Sequence, residues 1–142
     1  MKIPDVNVLL AAHREAHPQF LEARRWLDEL IEAGSPFSVI DAVAGSFLRI
    51  STNHRIFTNP ASLDEAFGYL EALRLQPAHQ WLGPTARHLA VLQQLCLATD
   101  ARGDLMPDAQ LAAIAIEHGA EVVSYDRDFA RFEEVRWSMP DL

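Results

Sequence analysis

At 142 residues and 15.9 kDa the chain is long enough for one well-buried core, and we expect a single domain over residues 1–142. Its 49% hydrophobic and 23% charged residues are typical of a soluble globular protein, and no apolar run is long enough to span a membrane. A net charge of −8 argues against a protein that mainly coats nucleic acid, because that affinity comes mostly from basic contacts to phosphate.

The cysteine content indicates the compartment. Cys96 is the only cysteine, so the chain cannot form an internal disulfide, and its start has no signal-peptide pattern. Both features fit a reducing cytoplasm, and we expect a cytoplasmic protein without membrane contacts. Leucines flank Cys96 at helical spacing, so we interpret it as a core residue and not as a nucleophile.

The N-terminal part of the chain is predicted to alternate strand and helix. A short strand ends at Asp5, and the apolar residues 6–10 either extend it or begin a helix. Apolar residues at helical spacing, followed by a glycine, predict a helix over residues 18–34. The segment PFSVI, residues 36–40, is predicted to be a short strand, and residues 41–50 form the next predicted helix.

The central part continues the same alternation. Ser62 and Glu65 form a capping-box pattern at the start of another predicted helix. The segment PAHQWL, residues 77–82, has the character of a third strand. An amphipathic helix is predicted over residues 85–98, with Thr85 as its N-cap.

The C-terminal part completes the predicted fold. An alanine-rich helix over residues 107–119 precedes a strand over residues 121–126, and residues 134–138 are predicted to form a last edge strand. Short strands alternating with longer helices indicate an α/β fold, a parallel sheet sandwiched between helices. Ligands of such sheets bind beyond the carboxyl ends of the strands.

Four acidic residues lie where that rule places a ligand site. Asp5 ends the first strand, Asp126 ends a later one, Asp128 is two residues further on, and Asp108 begins the alanine-rich helix. Three of them also have a structural interpretation, since Asp108 could cap its helix and Asp126 and Asp128 could fix a turn. Several carboxylates at one edge repel one another unless a cation holds them. Oxygen ligands alone favour Mg²⁺ or Mn²⁺ over zinc, and such a site is compatible with an acidic nuclease.

Three segments resemble a known family: PDVNVLL near the start, SFLRISTN in the middle and PDAQLAAIAIEHGAEVVSYDRDFARF near the end. They are similar to PIN-domain ribonucleases, and most of all to the mycobacterial branch of the VapC toxins of type II toxin–antitoxin pairs. The resemblance covers essentially the whole chain. It implies a PIN-like parallel sheet between helices and a Mg²⁺-dependent endoribonuclease in which Mn²⁺ can substitute. It also implies a stable RNA substrate such as transfer RNA, a VapB-like antitoxin partner and a homodimer.

The resemblance also assigns roles to particular residues. Asp5, Asp108 and Asp126 take the positions of the catalytic and metal-binding acids of the family. Asp128 matches an additional metal-site acid two residues later. Asn7 matches a polar position that helps to orient the first acid or the substrate.

The chain departs from the family pattern at one position. Most relatives have a glutamate on the helix after the second strand, a few residues before the arginine that corresponds to Arg49. Residues 42–46, AVAGS, contain no acid here, and Asp41 is the only candidate for a fourth acid. Asp41 is also a good N-cap for that helix, which is the interpretation we favour. The departure keeps open an alternative function, a non-catalytic PIN-like module that only binds RNA or a partner.

Basic residues near the predicted site are candidates for RNA binding. Arg49, His54 and Arg55 form one local patch, Thr52 could add a neutral phosphate contact, and Arg127 belongs to a second patch. For Arg49 an ion pair with a nearby carboxylate is the alternative.

Two other patterns are given less weight. His13 and His17 have the spacing of helical zinc ligands, but Pro18 ends the helix at once, so a zinc site is not expected. The three tryptophans are scattered and are interpreted as core or interface residues.

Overall fold

The computed structural model describes residues 1–140. In these residues it contains a parallel sheet, six α-helices and two short 3₁₀ segments, Gly103–Leu105 and Arg127–Arg131. The elements in chain order are β1 (Lys2–Pro4), α1 (Val6–His13), α2 (Phe20–Glu32), α3 (Asp41–Ser51), α4 (Leu63–Arg74), α5 (His88–Thr99), α6 (Met106–His118), β2 (Glu121–Val123) and β3 (Arg136–Ser138). No helix within residues 1–140 is long and apolar enough to cross a membrane.

The sheet has the strand order β1-β2-β3, with all neighbours parallel. Its centre consists of apolar side chains, and Ile3, Val122 and Val123 are fully buried there. β3 lies at one edge, as predicted for the last strand. Parallel order places the carboxyl ends of β1 and β2 at one edge of the sheet, and the site described below lies there.

The other edge is shorter than the sequence predicts. The predicted strands at residues 36–40 and 77–82 are each a single bridge, Lys2 to Phe37 and Phe37 to His79. Both segments begin with a proline, which has no N–H to donate to a ladder. The prediction of two further strands is therefore wrong in extent, although both bridges are parallel.

The structure decides the alternative left open for residues 6–10, which form a helix. The Asp5 side chain is the N-cap of α1, and its Oδ1 accepts a hydrogen bond from Val6 N at 2.7 Å. Val8 and Leu9 are fully buried. The tight connection between β1 and α1 holds Asp5 at the end of the strand.

Two predicted N-caps are wrong and one is confirmed. The N-cap positions of α3 and α5 are Ile40 and Arg87, not the predicted Asp41 and Thr85, and the N-cap position of α6 is Leu105, so the capping alternative for Asp108 is not realised. The helix α6 begins earlier than predicted, because the 3₁₀ segment before it runs directly into its first turn. The predicted cap at Ser62 is present, since its Oγ accepts from Glu65 N at 3.1 Å.

Phe47 anchors the packing between α1, α3 and α4. Its fully buried ring stacks on Tyr69 with centroids 5.2 Å apart and meets His13 edge-on at 5.4 Å. We expect Phe47→Ala to lower the free energy of unfolding by about 3–5 kcal/mol, because it removes buried contacts and leaves a cavity. Urea unfolding monitored by circular dichroism measures this. Replacement of the half-exposed Phe67 on α4 by alanine should cost much less, and equal losses for the two variants would contradict the assignment.

Candidate metal centre

An acidic cleft of about 380 Å³ opens at the carboxyl ends of β1 and β2. Asp5 follows β1, Asp126 follows β2 by three residues, and Asp108 is the third residue of α6. These three carboxylates line the cleft together with Asn7, Val6, Ile40, Ala42, Val43, Ser46, Arg49, Pro107, Gln110 and Leu111. The fold thus brings Asp5 together with two acids that are more than 100 residues away in the sequence.

Three of the predicted acids form a compact group. Asp108, Asp126 and Asp128 each offer one carboxylate oxygen, and these oxygens all lie within 4.8 Å of one another. All three residues are partly buried. The turn after β2 fixes the Asp126 side chain, because its Oδ1 accepts from Asp128 N at 2.8 Å. The turn role considered for Asp126 is therefore present, and it is compatible with a place in the group of three carboxylates.

Asp5 adjoins this group but is held by the protein itself. Asp5 is only 8% exposed, and its Oδ2 accepts a hydrogen bond from Ser124 Oγ at 2.7 Å. Together with the bond from Val6 N, this gives each carboxylate oxygen of Asp5 a donor from the protein. Asp5 is thereby fixed at the inner end of the cleft.

Ser124 connects the two strand ends. Its fully buried hydroxyl donates to Asp5 and accepts from Asp126 N at 3.0 Å and from Asn7 Nδ2 at 3.0 Å. Asn7 also accepts from Tyr125 N at 3.1 Å. The sequence interpretation assigned Asn7 an orienting role but missed Ser124, whose only signal is a small polar residue at the end of an apolar strand.

Two carboxyl groups of the cleft have raised pKa values. Burial is the main cause that raises the pKa of Asp108 to about 7, together with the charges of Asp126 and Asp5 and a hydrogen bond with Asp126. Burial is also the main cause that raises the pKa of Asp5, and the bonds from Ser124 and Val6 oppose it. Raised carboxyl pKa values at one cleft indicate a functional site.

The donor set fits a hard divalent cation. The three clustered groups provide only carboxylate oxygens, the ligands that Mg²⁺ and Mn²⁺ prefer, with no sulfur or imidazole that would favour zinc. A bound cation would also neutralise the mutual repulsion that raises the pKa of Asp108. The cluster can therefore hold a divalent metal ion.

Asp41 does not belong to this cluster. Its side chain is 94% exposed, and its Oδ1 lies 2.8 Å from the Arg74 guanidinium. Asp41 is also absent from the residues that line the cleft. The structure thus places Asp41 neither as an N-cap nor as a fourth acid, and α3 contributes no carboxylate to the cleft.

Of the predicted RNA-binding residues, only Arg49 lines the cleft. Arg49 is exposed and lines the cleft, and within residues 1–140 it makes no ion pair, so the ion-pair alternative is not realised there. His54, Arg55 and Arg127 are exposed outside the cleft lining. The Thr52 hydroxyl donates a hydrogen bond to Leu48 O at 2.6 Å, at the C-terminal end of α3.

The histidine pair has no metal-binding arrangement. The His13 ring packs against the rings of both Phe47 and Tyr69, and burial lowers its pKa. His17 Nδ1 accepts from Gln19 N at 3.0 Å in the turn after α1. Both side chains therefore have structural roles.

Comparison with known proteins agrees with the fold. The PIN domain family matches residues 2–135. The chain is 51% identical to Ribonuclease VapC25 of Mycobacterium tuberculosis over the full length of both chains. It is 40% identical to Ribonuclease VapC43 of the same organism, over 96% of this chain and 92% of that protein.

Solved structures share the fold at lower identity. VapBC2 from Rickettsia felis, solved bound to a DNA fragment from its promoter, aligns with a TM-score of 0.71 at 14% identity, over 99% of this chain and 98% of the other. The Sarcin-Ricin loop cleaving toxin VapC20 of M. tuberculosis aligns with a TM-score of 0.63 at 20% identity, over 96% and 99% of the two chains. The predicted PIN-like α/β fold is confirmed.

Proposed function

We propose that this chain, which belongs to the PIN-domain family and within it to the VapC ribonucleases, is the toxin of a type II toxin–antitoxin pair. In this proposal the whole chain, residues 1–142, is one PIN domain that acts as an endoribonuclease on phosphodiester bonds. The observation that supports the activity is the group of three carboxylates within 4.8 Å of one another beside the buried Asp5.

The proposed metal ligands are Asp108, Asp126 and Asp128, with Asp5 completing the site from its inner end. Mg²⁺ is the proposed ion and Mn²⁺ a substitute, because the donors are all carboxylates. When bound, the cation would neutralise charge that develops on the phosphate and would lower the pKa of an attacking water.

The side chains around the ligands have separate tasks in this proposal. Ser124 and Asn7 hold Asp5 and the backbone of Asp126 in place, so that the carboxylates need no rearrangement during the reaction. Asp126 or Asp128 orients or deprotonates the water. Arg49, exposed in the lining of the cleft, contacts an RNA phosphate.

The proposed substrate is a stable RNA such as transfer RNA, and the proposed inhibitor is a VapB-like antitoxin. An acidic cleft with partly buried carboxylates favours a basic side chain of such a partner, which would neutralise the site without metal. A homodimer and a cytoplasmic location complete the proposal. Of these partners, the antitoxin has the most direct test, since co-expression should suppress the toxicity of the chain.

The activity is tested by incubating the purified protein with total transfer RNA in Mg²⁺, in Mn²⁺ and in EDTA. We expect cleavage in either metal, none in EDTA, and recovery when Mg²⁺ is restored, because the carboxylates need a cation to approach a polyanion. A protein that binds the RNA equally well in all three conditions and never cleaves it would instead be the non-catalytic module.

Ser124→Ala tests the support of the site. We expect its affinity for Mn²⁺ to fall by about 10–100-fold, because groups that orient metal ligands typically contribute that much. Ser124→Thr keeps the hydroxyl and should retain most of the affinity. Isothermal titration calorimetry measures both, and an alanine variant with wild-type affinity would contradict the role of Ser124.

A further inference from the structure

Along the chain, Val39 lies between the last hydrogen bond to the edge of the sheet and the first helical hydrogen bond of α3. Ser38 N donates to Lys2 O at 3.0 Å, and helical bonding begins where Ala44 N donates to Ile40 O at 2.9 Å. The N–H and C=O of Val39 fall between these two sets of bonds, although the residue is only 1% exposed. Buried backbone groups require partners, so side chains must supply them here.

Two side chains hold Val39 from opposite sides. Its N–H donates to His79 Nε2 at 2.9 Å, and its carbonyl accepts from Arg74 Nε at 3.2 Å and from one terminal nitrogen of Arg74 at 2.8 Å. The Arg74 guanidinium lies 4.7 Å from the centre of the Trp81 ring, which covers it. We call Arg74, His79 and the Val39 backbone the Val39 clasp.

The carbonyl is the important partner of Arg74. The same guanidinium reaches Asp41, but that carboxylate is 94% exposed, so water screens the ion pair. The carbonyl of Val39 is buried and would be left without a donor if Arg74 were removed. His79 accepts only as a neutral ring, and burial followed by the charge of Arg74 lowers its pKa, which maintains that state.

The residues directly after the clasp form one wall of the acidic cleft. Ile40, Ala42 and Val43 line it at the start of α3, and Ser46 and Arg49 continue the wall along the helix. Since α3 brings no carboxylate to the cleft, this wall faces the metal-binding acids without contributing to them. A shift of α3 would move the groups that contact RNA and leave the metal ligands in place.

We propose that Arg74 is a positioning residue for RNA, which fixes the start of α3 through the Val39 carbonyl and thereby aligns Arg49 and Ser46 with the carboxylates. His79 holds the other side of the same residue. The inference rests on the proposed ribonuclease function for its substrate. It adds a residue on α4, outside the cleft, on which RNA alignment depends.

The test compares Arg74→Met, Arg74→Lys and two controls with the wild type. Asp41→Asn removes only the exposed contact of Arg74, and Arg24→Met removes an exposed ion pair on α2. Three quantities are measured: kcat and KM on transfer RNA in Mg²⁺, the affinity for Mn²⁺ by calorimetry, and amide hydrogen exchange by mass spectrometry.

We expect Arg74→Met to lower kcat/KM at least about tenfold, since a misplacement of about 1 Å can cost up to 100-fold. Its affinity for Mn²⁺ should equal that of the wild type, and exchange should accelerate at residues 40–46 but not in α6. Arg74→Lys should recover part of the activity through one bond to the carbonyl, and both controls should resemble the wild type. His79→Gln, whose amide oxygen can still accept from Val39 N, should lie between wild type and Arg74→Met.

Three results would overturn the proposal: a wild-type kcat/KM for folded Arg74→Met, a parallel loss of Mn²⁺ affinity, or failure of Arg74→Lys to recover any activity. If Arg74→Met does not fold, the same measurements on Arg74→Lys and His79→Gln test the proposal in its place. A wild-type protein that cleaves no RNA would refute the ribonuclease function instead. The clasp would then be judged by exchange at residues 40–46 alone, and unchanged exchange there would refute it.

Discussion

Asp108→Asn should reduce kcat/KM for RNA cleavage in Mg²⁺ by at least about 100-fold. The cation is expected to stabilise the transition state by several kcal/mol, and each 1.4 kcal/mol corresponds to a factor of ten. Asparagine has nearly the same shape as aspartate but no charge, so the variant removes one of three clustered carboxylates without creating a cavity. Asp108 is chosen because its side chain, unlike Asp5, does not cap a helix.

The control for this variant lies four residues earlier. Asp104→Asn changes an exposed carboxylate in the 3₁₀ segment before α6, on the same part of the chain. It should leave both cleavage and Mn²⁺ affinity at the wild-type level, whereas Asp108→Asn should weaken Mn²⁺ binding as well. Cleavage by Asp108→Asn at the wild-type rate would show that the carboxylate cluster is not the catalytic centre.

The helices were predictable because their signals are local. The helix α2 follows from apolar spacing, and Ala109, Ala112 and Ala113 give α6 a small buried face that packs close to the sheet. The position of the acids was predictable for a related reason, since a residue that follows a parallel strand must lie at its carboxyl end. Asp5 and Asp126 therefore meet in the cleft, as the sequence indicated.

The features that the sequence did not predict depend on partners distant along the chain. Asp41 interacts with Arg74, which is 33 residues away, and no local pattern distinguishes that contact from an N-cap or a fourth acid. Ser124 acquires its role only when β1 and β2 are paired, because its hydroxyl bonds to Asp5, 119 residues earlier. Strand lengths at the short edge are likewise set by pairing and not by composition.

The stability of the metal-free protein should depend on pH through Asp108. Its pKa is raised to about 7 in the folded state, first by burial and then by the neighbouring Asp126 and Asp5, whereas an unfolded aspartate titrates at about 4. Between these values the folded protein retains a proton that the unfolded chain has lost. The contribution of Asp108 to the stability of the folded protein is therefore largest below about pH 4, and it decreases as the pH rises to about 7.

We expect the midpoint of thermal unfolding in EDTA to fall for the wild type as the pH rises from 5 to 8, and to fall much less for Asp108→Asn. At pH 8 the metal-free variant should be the more stable protein, since it lacks the charge that repels Asp126. Saturating Mg²⁺ should reverse this order, because the cation binds the folded wild type and stabilises it by mass action. Parallel pH profiles for wild type, Asp108→Asn and Asp104→Asn would contradict the assignment. Charge repulsion at Asp108 would then not destabilise the folded protein, and a cation bound at the cleft would have no such repulsion to relieve.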